Sequence, residues 1–96
     1  MEITAHMVAA RIEAVMAIFG IGSRRELSAI VGATMGTIGN WMNGYNFPKV
    51  EEMAKLCEKT GVTLDWIYRG SVVAMDPATI IMLARHVSAN PKSTKK

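Results

Sequence analysis

The sequence predicts an all-α fold of six helices, and three observations carry that reading. Apolar residues recur three and four positions apart in one segment after another, the spacing of a buried helix face. Serine, threonine or aspartate opens most of these segments and glycine closes them, pairing an N-terminal cap with a left-handed C-terminal stop. Half of the 96 residues are hydrophobic, enough for one small globular domain.

Taken in order, Thr4 caps a first helix whose Val8, Ile12, Val15, Met16 and Phe19 form one apolar stripe, with Arg11 and Glu13 facing water. Gly20 and Gly22 end it. The opening MEITAHMVAARIEAVMAIFG is apolar, but it lacks a basic start and charges interrupt it, so it reads as an amphipathic helix rather than a signal peptide. His6 near its start reads as a surface residue. Ser23 followed by Glu26 is a capping box, with the hydroxyl accepting from the Glu26 amide and the carboxylate accepting from the Ser23 amide. A helix over Arg24–Val31 follows, Gly32 turns the chain, and Thr34 caps a second helix over Met35–Met42. Leu27, Val31, Ala33, Ile38 and Trp41 then look at one another across the turn, and small Ser28 permits close approach. Two short helices joined in this way form a helix-turn-helix.

Beyond it, NGYNFP is a loop in which Phe47 is expected to plug the core and Pro48 to enter the first turn of the next helix. That helix, residues 49–59, places Val50, Met53, Ala54 and Cys57 on one stripe, making Cys57 a small buried hydrophobe. Gly61 stops it. Thr63 caps a fifth helix whose Leu64, Trp66, Ile67 and Tyr68 close the core, with Asp65 near its positive end. Asp76 and Pro77 start a sixth helix, and Asn90 with Pro91 stops it. Ile80, Ile81, Met82, Leu83, Ala84 and Val87 cover most of that helix's circumference, and Val72, Val73 and Met75 precede it. One helix on a small domain cannot hide apolar surface on every side. A symmetric dimer interface is therefore expected over residues 71–88, using Val72, Val73, Met75, Ile80, Ile81, Leu83, Ala84 and Val87. The expected organisation is a helix-turn-helix domain over residues 1–70, an apolar dimerisation segment over 71–90 and a mobile basic tail, PKSTKK, over 91–96.

The second helix of the motif points to function. At 3.6 residues per turn Gly36, Gly39, Asn40 and Asn43 face outward, with Met35 and Thr37 at the margins, and no charge lies on that face. Two glycines there cost about 2 kcal/mol relative to alanine, so stability alone would not select them. A face meant to lie close against another surface would. In a DNA major groove asparagine can bond adenine through both its amide donor and its carbonyl acceptor, and methionine and threonine methyls can touch thymine. Arg24 and Arg25 oppose the dipole of the helix they begin, a preference that a nearby phosphate reverses. Tyr45, Asn46 and Lys49 would border the same groove.

Together with NFPKVEEMAKLCEKTGVTLDWIYRG, the motif resembles the phage repressor and Cro-like helix-turn-helix family, especially small phage-type repressors ending in a pattern like Thr63 to Ile67. The resemblance covers roughly residues 8–70. It implies a five-helix DNA-binding domain in which the helix starting at Met35 enters the major groove. It also implies base-facing roles for Met35, Gly36, Thr37 and Asn40, with Gly39 on the same face, and phosphate contacts from Arg24 and Asn43. Arg25, Thr34, Tyr45, Asn46 and Lys49 join that phosphate-side set. Gly36 and Gly39 depart from the family, many of whose members carry longer or polar side chains there.

The formal charge of +3 permits nucleic acid without demanding it. A single cysteine cannot form an internal disulfide, in keeping with a reducing cytoplasm. No uncharged run approaches the ~20 residues of a membrane helix. No metal-spaced histidine or second cysteine, acid pair or phosphate-cradling loop is evident, so no enzyme, cofactor, metal or small-molecule ligand is expected. The expectation is a sequence-specific transcriptional regulator of a Cro-type or minimal repressor kind. It would occupy a palindromic double-stranded operator as a homodimer, in a bacterial cell or phage-infected host. The alternative is a protein-interaction module on the same fold, of antitoxin or antirepressor type.

Overall fold

The computed structural model describes residues 2–89, and side chains as far as residue 86. It is all-helical there: α1 Ala5–Phe19, α2 Arg24–Val31, α3 Met35–Met42, α4 Val50–Thr60, α5 Leu64–Arg69 and α6 Pro77–Ala89. The α1 helix packs against α3, α5 and α6, while α2 packs on α3 and α4, and α4 on α5. The expected stop at Asn90 and Pro91 and the basic tail lie outside the described residues.

Local chemistry sets the helix-turn-helix. The Ser23 hydroxyl accepts from the Glu26 amide at 3.1 Å, and Thr34 does the same for Thr37 at 3.1 Å. The Glu26 carboxylate takes the Gly22 amide rather than that of Ser23, one residue further out than expected. Gly32 adopts φ +78°, and its amide closes onto the Ser28 carbonyl at 2.8 Å. The Ser28 hydroxyl then donates to the Ala33 carbonyl at 2.6 Å, tying the turn to α2. An isolated eight-residue helix carrying two glycines would not hold in water. Ile38 and Trp41 hold it by burial, at about 1.5–3 kcal/mol each, which outweighs the ~2 kcal/mol glycine penalty. They join Val8, Ile12, Val15, Leu27, Val31, Met53, Leu56 and Ile67 in one core.

Several expectations are corrected by packing. Phe47 is not a core plug, since it is 49% exposed. Pro48 is buried instead, its carbonyl accepting from the Tyr68 hydroxyl at 2.7 Å, and in extended chain the preceding side chain then points outward. Pro48 also precedes the α4 cap, Lys49, rather than entering the helix. On α4 the buried residues are Met53 and Leu56, Cys57 is half-buried, and Val50 is exposed. On α1, Phe19 is exposed and Met16 half-buried, so the stripe fades at its end. Arg11 is not simply in water, because Nη1 donates to the Ile67 carbonyl at 3.1 Å, and burial lowers its pKa. Asp65 pairs with Arg69 at 3.0 Å, one turn along α5.

The largest correction concerns the C-terminal segment. Met75 and Leu83, expected at a dimer interface, are buried in the chain's own core, Leu83 at 1% exposure. They are the residues that seat α6 and its leading loop on the domain, so they are not available to a partner. Asp76 caps α6 by accepting from the Thr79 amide at 3.2 Å. Ile80 is half-buried, while Val72, Val73, Ile81, Met82 and Ala84 stay exposed. The Val87 side chain lies outside the described residues.

Candidate nucleic-acid interface

The face predicted on α3 is realised as an exposed surface. Met35, Gly36 and Asn40 are exposed, Thr37 and Gly39 half-buried, and Ile38 and Trp41 turn inward. A Cβ on Gly36 would meet no atom within 4 Å. The Thr34 hydroxyl donates to the Thr37 hydroxyl at 2.9 Å while accepting from the Thr37 amide. Thr34 thus caps α3.

Arg24, Arg25, Asn43, Tyr45, Asn46 and Lys49 are all exposed. Among the described residues the ion pair present is Arg69 with Asp65, so neither Arg24, Arg25 nor Lys49 is neutralised by an acid. The loop after α3 is anchored by its own backbone, since the Asn40 carbonyl accepts from the Tyr45 amide at 2.9 Å. This presents Tyr45 to solvent at 74% exposure while leaving the Asn40 side chain outward.

Residues 10–71 match the bacteriophage CI repressor helix-turn-helix domain. The chain belongs to that family. The match takes in the last two thirds of α1 and all of α2, α3, α4 and α5, and leaves α6 outside. This repressor-family chain is a DNA-binding transcriptional regulator by membership, and the family is not a class of enzymes. Searches among curated proteins and among solved structures give no match.

The repressor fold also brings together residues that sequence spacing kept apart. The Arg24 guanidinium lies beside α3, with Nη1 4.0 Å from where a Cβ of Gly39 would stand. His6, from the first turn of α1, packs its ring over Gly44, where φ is +77° and a Cβ would come within 2.5 Å of the ring. That contact braces the start of the Tyr45 loop, and no local pattern in the sequence announces it. Elsewhere, burial pushes the Cys57 thiol up, which keeps it in the protonated, unreactive form. Tyr68 is pushed up to about 12 by burial, with Glu52, Cys57 and Glu51 adding to it, so it stays a hydrogen-bond donor to Pro48. Among the described residues no group of three histidine, cysteine or acidic side chains gathers as a metal site. No single helix there is long and apolar enough to cross a membrane.

Proposed function

We propose that this chain is a sequence-specific repressor that occupies a palindromic operator as a homodimer, acting in a bacterial cytoplasm or a phage-infected host. The observation that carries the reading is the exposed, uncharged face of α3 with the unpaired guanidinium of Arg24 beside it. In this account α3 enters the major groove, Asn40 bonds an adenine for about 1–3 kcal/mol of discrimination, and Met35 and Thr37 contact neighbouring bases or their methyls. Arg24, Arg25 and Lys49 supply attraction that weakens as salt rises, since each phosphate neutralised releases counterions. Asn43, Tyr45 and Asn46 hold the backbone by hydrogen bond.

Dimerisation would use the apolar surface that α6 and its leading loop leave uncovered, Val72, Val73, Ile81, Met82 and Ala84. Two-fold pairing would set two α3 helices about one helical turn of DNA apart, ~10 base pairs. The test is selection of bound duplexes from a random pool, followed by gel shift over a salt series. The reading predicts an inverted repeat and affinity that falls several-fold between low and physiological salt. Absence of enrichment, with co-purification of a second polypeptide instead, would favour a protein-interaction module.

A further inference from the structure

Phosphate clamping asks only for positive charge, yet Arg24 is placed for more than that. Its guanidinium, exposed and free of any acid among the described residues, lies against α3 at Gly39, with Nη1 4.0 Å from the position of the missing Cβ. Gly36, one turn earlier on that helix, likewise adds no side chain and has open space before it. The guanidinium therefore lies at a bare position of the helix, Gly39, next to Asn40 in sequence. A group carried on the outward side of a helix travels with it into the groove. There a planar fork of donors matches the O6 and N7 atoms of guanine, a pairing that the rounded ammonium of lysine does not reproduce.

We propose that Arg24, seated in the notch that Gly39 leaves open, reads a guanine in the major groove beside the base pair contacted by Asn40. This deepens the DNA-binding reading above and rests on it. It also accounts for the glycine at position 39, because a longer side chain there would occupy the space that the guanidinium needs.

The test uses the full chain as wild type, Arg24→Lys and Gly39→Leu, with each protein's helix content checked and each taken through selection from a random duplex pool. Wild type should enrich a guanine at one fixed position of the half-site. Arg24→Lys keeps the charge, and should lose the preference at that position by roughly 5- to 150-fold while preferences elsewhere stay. Gly39→Leu keeps Arg24 but removes its seat, and should relax the same position. If both variants retain the guanine, or if Arg24→Lys weakens every sequence by one common factor, Arg24 is a backbone clamp only and this inference falls while the operator-binding proposal stands. If wild type enriches no sequence, both fall together.

Discussion

Replacing Gly36 and Gly39 together with alanine should make the protein more stable and a poorer binder of its operator. Neither position needs a left-handed backbone, since the glycines at positive φ are Gly20, Gly32, Gly44, Gly61 and Gly70. A methyl on Gly36 would meet nothing within 4 Å, and one on Gly39 would make an ordinary contact, 4.0 Å from Arg24 Nη1. No steric cost then offsets the gain in helix propensity, roughly 1 kcal/mol per site and about 2 kcal/mol for the pair. For a domain of this size 1 kcal/mol moves the melting temperature by about 4–8 °C, so the double variant should melt ~8–16 °C higher. Thermal melts followed by far-ultraviolet circular dichroism, with urea titrations alongside, read this directly. An unchanged or lowered melting temperature would refute the claim that this face is open. The same protein, assayed by gel shift on the selected duplex, should bind more weakly, because two methyl groups hold the helix away from the base edges. Raised stability with undiminished affinity would show that the bare face has no part in binding.

Three further outcomes follow from the packing. Leu83→Ala should cost about 2–5 kcal/mol in urea unfolding, because the side chain is buried and anchors α6 on α1; a cost near zero would mean that α6 is not part of the core. Tyr68→Phe should cost about 1 kcal/mol at neutral pH, from the lost bond to the Pro48 carbonyl. Tyr68 has its native pKa raised from 10.0 to about 12, so the folded state holds the proton that the unfolded chain releases first. The stability this gives is whole below pH 10 and is lost as pH rises toward 12, so wild type and Tyr68→Phe should converge across that window. A constant gap between them would contradict the assignment. Ile81→Glu with Met82→Glu should leave unfolding at low concentration within about 0.5 kcal/mol of wild type, since both side chains are exposed, and should abolish self-association in sedimentation equilibrium. A dimer that survives the pair of charges would place the interface elsewhere.

The helix-turn-helix was legible in the sequence because its signals are local. Ser23, Gly32 and Thr34 each act on neighbours within a turn, so the bounds of α2 and α3 follow from residue types alone. The outward face of α3 followed from helical projection for the same reason. What escaped depends on partners far along the chain. Phe47 and Pro48 exchange roles because Tyr68, 20 residues away, draws Pro48 inward. Arg11 leaves solvent for the Ile67 carbonyl, 56 residues away. The circumference of α6 is apolar nearly all round, so its pattern names no inner face, and only contact with α1 selects Leu83. The approach of Arg24 to Gly39 is hidden similarly, since it depends on how α2 and α3 cross.

The most direct test of the account is methylation interference on a duplex chosen by the protein from a random pool. Methyl groups at guanine N7 stand in the major groove and those at adenine N3 in the minor groove. If α3 reads the major groove, N7 methylation should block binding in two patches about one helical turn, ~10 base pairs, apart. Interference confined to adenine N3, or absent from both grooves, would contradict it.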